Sequence, residues 1–131
     1  MQTARILIVE DEKEARVTLE SFLSKRISCE FLEAENGYKA IEIVKSTPID
    51  LILLDIKMPG ISGVDVIKSI SDPNKKIPII VLTKWDSEEV AQVIKEYGAD
   101  YLTKPYSLKL VLEKVKEKLI KINKYLEKTP A

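Results

Sequence analysis

Four short apolar runs, each stopping abruptly at a polar residue, set the rhythm of this chain. Ile6 to Val9 stops at Glu10 and Asp11, and Leu51 to Leu54 stops at Asp55. Ile79 to Leu82 stops at Thr83, and the shorter Tyr101-Leu102 leads through Thr103 to Lys104-Pro105. An unbroken apolar run with turn signals on both sides reads as a strand covered on both faces, the mark of a parallel sheet. A fifth segment, Ser28 to Ala34, mixes apolar with charged residues and reads as a strand nearer an edge, ended by Asn36-Gly37.

The stretches between these runs repeat at helical spacing. Glu10-Asp11-Glu12 open a helix to about Lys25, their charge suiting a first turn, with Val17, Leu19, Phe22 and Leu23 as its apolar positions. A helix over Tyr38–Lys45 turns Ala40, Ile41 and Val44 inward before Thr47-Pro48 breaks it. Met58-Pro59-Gly60 turns the chain, and Gly63 sits just before a helix through about Ile70. Asp86 or Ser87 caps the next helix, and Tyr97-Gly98 stops it. Strand five spans Asp100 to Thr103, and Ser107 caps a last helix reaching about Lys128.

Strands alternating with helices, five of each, predict a doubly wound α/β fold with right-handed crossovers. Open sheets of this kind bind ligands beyond the carboxyl ends of their strands, at a topological switch point. In the flavodoxin-like strand order 2-1-3-4-5, strands one and three flank that point. Alone, Asp55 reads equally as a turn cap. The recurrence decides: Glu10, Asp11, Asp55, Thr83 and Lys104 would all gather along one sheet edge. Singly, Thr83 could merely end its strand and Lys104 merely pair with a carboxylate. Jointly they make a site.

Composition narrows its chemistry. At 131 residues the chain fits one domain with a real core, and equal numbers of basic and acidic residues, 21 each, leave no global field for nucleic acid or an acidic membrane. Residues 107–131 hold seven basic and three acidic groups, which suits a solvated helix face. Cys29 stands alone, so no internal disulfide forms, and a small apolar filler in a reducing, cytoplasmic setting is expected. No run approaches membrane-spanning length. The absence of histidine removes most catalytic triads and most zinc sites.

Clustered carboxylates raise one another's pKa unless a cation compensates, and an all-oxygen set with room for water suits Mg²⁺. A metal held by Asp11 and Asp55 would turn a phosphate-repelling edge into a phosphate-accepting one. Asp55 could then act as a nucleophile forming an aspartyl phosphate, with Lys104 and the Thr83 hydroxyl as partners for the phosphoryl oxygens.

These motifs are Val9-Glu10-Asp11, Asp55-x-x-Met58-Pro59-x-x-x-Gly63, Thr83, and Gly98-Ala99-Asp100-Tyr101-Leu102-Thr103-Lys104-Pro105. Through them the chain resembles the response-regulator receiver domains, the CheY-like family of two-component signal transduction, over residues 1 to about 120. The remaining residues, 121–131, would extend the last helix and end in a tail. The resemblance implies Asp55 as phosphoacceptor, Asp11 as a direct Mg²⁺ ligand and Glu10 acting on the metal through water. The Lys57 carbonyl would complete the ligands. Thr83 and Lys104 would contact the phosphoryl group, Thr83 and Tyr101 would switch, and a cis peptide would precede Pro105. It further implies a sensor histidine kinase, or a small acyl phosphate, as donor. The output would be a change on the face of helix four, strand five and helix five that alters partner binding or dimerisation. Lys84 stands where the family keeps a small residue, and Lys57 is a long cation beside the site, so both can modulate access.

The last helix carries a second expectation. Leu108, Leu112, Val115, Leu119, Ile122 and Leu126 step by four and three, a coiled-coil spacing, so a long helix could project past the body as a homodimer seam or signalling helix. Three rivals share the fold. A flavin carrier is rejected, because it wants a phosphate-cradling loop where Glu10-Asp11-Glu12 would repel phosphate. An aspartyl-phosphate phosphatase places a second Asp where Lys57 stands. A receiver-like scaffold that is never phosphorylated shares every fold signal.

Overall fold

A computed structural model describes residues 3–84 and 87–128; the notional cap Asp86 lies outside them. Five strands alternate with five helices. They are β1 (Arg5–Val9), α1 (Lys13–Ser24), β2 (Glu30–Ala34), α2 (Gly37–Ser46), β3 (Leu51–Asp55), α3 (Gly63–Ile70), β4 (Ile79–Thr83), α4 (Glu88–Tyr97), β5 (Asp100–Thr103) and α5 (Leu108–Lys121). The strands form one sheet in the order β2-β1-β3-β4-β5, all neighbours parallel, which is the flavodoxin-like order expected.

Side chains alternate across the pleat, so each apolar run feeds two layers. Leu7, Val9, Ile52, Leu54, Ile79 and Val81 face a layer built by α2, α3 and α4. Ile6, Ile8, Leu51, Leu53, Ile80 and Leu82 face α1 and α5, through Leu19, Leu23, Val111, Val115 and Leu119. Cover on both faces is why β1, β3 and β4 could be unbroken apolar runs. β2 lies at the edge and its residues are mostly half-exposed, hence its mixed composition.

Local signals set most helix ends. Asn36, Ser62, Ser87 and Ser107 accept N-terminal backbone N–H groups. Gly98 ends α4 at φ 77, its N–H on the Ile94 carbonyl and that of Ala99 on the same oxygen. Helix α1 differs from expectation at both ends of its argument. It starts at Lys13 rather than within the acidic triplet, and Val17 points outward, 48% exposed.

The C-terminus departs most. Helix α5 stops at Lys121 instead of running to Lys128. Asn123 takes a left-handed conformation, φ 58, its N–H bonding the Ile120 carbonyl and the Lys124 N–H bonding that of Leu119. That pair closes a helix with an asparagine where glycine is commonest. The chain then doubles back: Ser28 N–H donates to the Leu126 carbonyl at 2.8 Å and Lys128 N–H to that of Arg26 at 2.9 Å. Glu127 forms an antiparallel bridge with Ile27, Tyr125 packs on the α1–α5 layer, and Lys124 Nζ meets Asp50 Oδ1 at 2.8 Å. Ile122 and Leu126 therefore lie beyond the helix, and the projecting heptad seam does not form.

Candidate functional site

The register of the sheet assembles the carboxylates. Val9 pairs with Leu54, so the next residues, Glu10 and Asp55, emerge side by side where β1 and β3 end. Asp55 pairs with Leu82, which puts Thr83 one residue further along the same edge, and Thr83 in turn pairs with Thr103. The Lys104 N–H donates to the Thr83 carbonyl at 2.8 Å, fixing the start of the β5–α5 loop.

Oxygens of Glu10, Asp11 and Asp55 all lie within 4.8 Å of one another. Glu10 and Asp55 are buried, whereas Asp11 opens to solvent. Lys104 reaches in from the far side, Nζ 3.0 Å from Asp55 Oδ2 and 3.7 Å from Glu10 Oε1. The Lys57 N–H donates to Asp55 Oδ1 at 3.1 Å. Both oxygens of Asp55 are thus held in place by donors from opposite loops.

One ammonium does not neutralise three carboxylates. Glu10 is pushed up to about 8, first by burial and then by its hydrogen bonds to Asp11 and Asp55 and by the Asp55 charge. Burial alone would pull Lys104 down, but its bond to Asp55 and the charges of Asp55 and Glu10 raise it. The group is an oxygen-only donor set with spare negative charge and one exposed member, which fits a hard divalent cation such as Mg²⁺.

Around this centre, Thr83 is buried, Lys57 and Lys84 are exposed, and Tyr101 on β5 is 42% exposed. The Lys104-Pro105 peptide is cis. A cleft of about 510 Å³ bordered by Lys57, Met58, Pro59, Glu89 and Val90 opens beside the end of β3. Glu10, Asp11, Asp55, Lys57, Thr83, Lys84 and Lys104 therefore sit at the carboxyl ends of their strands, with Glu10, Asp11, Asp55 and Lys104 in a single cluster, while Tyr101 lies within β5 opposite Val81.

Sequence reasoning missed two neighbours. Tyr106 is half-buried next to Lys104; burial raises its phenol, and the Lys104 charge partly offsets this. Arg16 on α1 sends Nη1 to the Glu10 carbonyl at 2.7 Å and to that of Asp11 at 3.4 Å, while its Nε holds Glu33 Oε1 on β2 at 2.9 Å. A cation near the start of a helix runs against the helix dipole, and that was the available signal for a specific partner.

The family model for the response regulator receiver domain matches residues 6–116. The chain belongs to this family. Among curated relatives, this receiver domain is 32% identical over 120 residues to sporulation initiation phosphotransferase F of Bacillus subtilis, covering 91% of the chain and 96% of that protein. It is 36% identical over 111 residues to a cyclic di-GMP phosphodiesterase of Thermotoga maritima, covering 84% of the chain but only 29% of that protein. It spans about half the length of several transcriptional regulators that it also matches. The crystal structure of a CheY-like receiver domain from Methanospirillum hungatei superposes with a TM-score of 0.84 at 27% identity, covering 94% of this chain and 98% of that one. Receiver domains are signalling modules of two-component systems, typically serve histidine kinases, and bind Mg²⁺ at an acidic pocket. Among the described residues no helix is long and apolar enough to cross a membrane.

Proposed function

We propose that this receiver domain accepts a phosphoryl group on Asp55 and uses it to change the face formed by α4, β5 and α5. The observation that carries the proposal is the convergence of Asp55 with Glu10, Asp11 and Lys104 on one strand edge. These 131 residues contain no histidine, so a phosphohistidine donor lies outside them, and we assign that role to a sensor histidine kinase. A small acyl phosphate could serve in its place.

In the transfer, an Asp55 carboxylate oxygen attacks phosphorus. The bond from phosphorus to the donor nitrogen, or to the acyl oxygen, breaks and its electron pair leaves with the donor. Glu10, Asp11, Asp55 and the Lys57 carbonyl are the groups that would hold Mg²⁺. When bound, the ion supplies positive charge against the phosphoryl oxygens. Lys104, already on Asp55 Oδ2, can pass its hydrogen bond from the carboxylate to a phosphoryl oxygen without leaving the site. The buried Thr83 hydroxyl sits on the neighbouring strand end as a second partner.

Phosphorylation adds charge and acceptor oxygens, and the resulting contacts bias an existing two-state equilibrium. Thr83 moving toward the phosphoryl group and the outward-lying Tyr101 turning inward would carry the bias to α4, β5 and α5. This face is the proposed surface for an output partner or a second copy of the chain. Lys57 and Lys84, exposed at the rim, would modulate access of donor and water. We place the domain in the cytoplasm, with no direct contact to nucleic acid or membrane.

The test is intact-mass detection of phosphorylation by acetyl phosphate with Mg²⁺, followed by a cognate kinase if one is found. Labelling of the wild type and its loss in Asp55→Asn support the proposal. Label persisting in Asp55→Asn, or no label from either donor, refutes it and leaves the fold as an unphosphorylated scaffold. Size exclusion with and without beryllofluoride then reports whether activation changes association.

A further inference from the structure

We infer that Arg16 is a positioning residue for the acidic site, holding the β1–α1 loop so that Asp11 and Glu10 present their carboxylates to a divalent cation. The inference rests on the receiver-site reading above and assigns a role to a residue outside the acidic cluster.

The loop is held from both sides. The Glu10 N–H donates to the Ala34 carbonyl at 3.1 Å, anchoring it to the end of β2. The Glu10 carbonyl, on the opposite side of the residue, accepts from Arg16 Nη1 at 2.7 Å. The same nitrogen lies 3.4 Å from the Asp11 carbonyl, so two successive peptide planes answer to one guanidinium. Those planes set where the Asp11 side chain points, and that side chain is exposed, without the packing that fixes Glu10 and Asp55.

Arg16 is itself fixed. Its side chain is 12% exposed, and Nε is bound to Glu33 Oε1 at 2.9 Å. A planar fork can serve a carboxylate with one nitrogen and a carbonyl with another, which a lysine ammonium on a flexible stem does less well. Groups that orient metal ligands in this way matter to affinity: their loss commonly weakens binding by about 10–100-fold.

Electrostatics makes the test decisive, because the two roles have opposite signs. If Arg16 were only a nearby charge, removing it would tighten binding of a dication. If it positions the loop, removing it weakens binding. The experiment is calorimetric titration of the full chain with Mg²⁺, with melting temperatures measured in chelator. Arg16→Ala is expected to raise the Mg²⁺ Kd about tenfold, and Arg16→Lys to fall between it and the wild type. Arg5→Ala, which breaks the Arg5–Glu30 pair between β1 and β2 at 3.0 Å, is expected to leave the Kd within about twofold. Should Arg16→Ala fail to fold, Arg16→Lys carries the comparison. A Kd for the Arg16 variants equal to or tighter than wild type, or matched by Arg5→Ala, overturns the inference while the site stands. A wild type that takes no Mg²⁺ overturns the site reading and the inference with it.

Discussion

Gly63 is where the end of β3 and the start of α3 come closest, and adding one carbon there is a measurable perturbation. Its N–H donates to the Ile56 carbonyl at 2.8 Å. A Cβ at this position would stand 2.6 Å from Ile56 Cα and 2.9 Å from the Asp55 carbonyl oxygen. Favourable carbon contacts lie near 3.5–4.0 Å, so α3 must retreat by roughly 1 Å. Both obstacles are backbone atoms of the site itself and cannot rotate aside. Overpacking of this kind costs about 1–3 kcal/mol, and backbone obstruction puts Gly63→Ala at the upper end, about 3 kcal/mol. With an unfolding entropy of about 2.1 cal/mol/K per residue, 131 residues give roughly 275 cal/mol/K and a Tm lower by about 11 °C.

Gly60→Ala is the comparison. Its φ of +83 strains any side chain, but among the described residues beyond its chain neighbours only Tyr38 Cε2 comes near, at 3.6 Å, so the loss is about 1–2 kcal/mol and Tm falls roughly 4–7 °C. Calorimetry in chelator measures both. Labelling by acetyl phosphate, at a temperature where both variants are folded, should be slower in Gly63→Ala, because one of the two obstructing atoms is the carbonyl oxygen of Asp55. A Gly63→Ala melting temperature within about 3 °C of wild type, or no lower than that of Gly60→Ala, refutes the reasoning.

Four further outcomes are expected. For Asp100, burial alone would raise the carboxyl, but the Lys114 hydrogen bond, the Tyr101 N–H and the Lys114 and Lys118 charges hold it below its ordinary 3.8. A carboxylate lowered in the folded state stabilises above 3.8 and loses that contribution as pH falls through its folded value. Asp100→Asn should therefore cost about 1 kcal/mol in urea titrations at neutral pH, with the gap to wild type closing in acid. Tyr97→Phe strands the buried Ile77 carbonyl that its hydroxyl reaches at 3.0 Å, a loss of about 1–2 kcal/mol by the same titration. Cutting the chain after Lys121 removes Tyr125 from the α1–α5 layer and Lys124 from Asp50, lowering stability by about 2 kcal/mol in calorimetry; no change in Tm would show that the returning segment contributes nothing. Lys84→Ala should shorten the lifetime of the aspartyl phosphate, followed by decay of the mass label, if the exposed lysine keeps water from the site. An equal or longer lifetime contradicts that role.

The sheet was legible because β1, β3 and β4 are covered on both sides and so could be written as unbroken apolar runs, each ended by a polar residue. Parallel order followed from the helical stretches between them, and the site followed from the order. What escaped had causes that are not local. The end of α5 depended on Asn123 adopting a left-handed turn and on Glu127, Leu126 and Lys124 finding partners at Ile27, Ser28 and Asp50, far back in the chain. The heptad spacing beyond Lys121 was real in the sequence but belonged to a segment folding back on α1. Val17 kept helical spacing yet faces water, since periodicity alone does not say which side of a helix meets the sheet. Arg16 drew no notice in the sequence because two of its partners are backbone carbonyls, which leave no trace in composition.

The division of the interior by the sheet has a consequence for how this protein tolerates change. Leu53 and Leu54 are bonded neighbours, yet one belongs to the α1–α5 layer and the other to the α2–α4 layer. Side chains that share no partner combine their effects by simple addition, whereas those within a layer interfere with one another. Each side can therefore drift through its own sequence substitutions without compensating moves across the sheet.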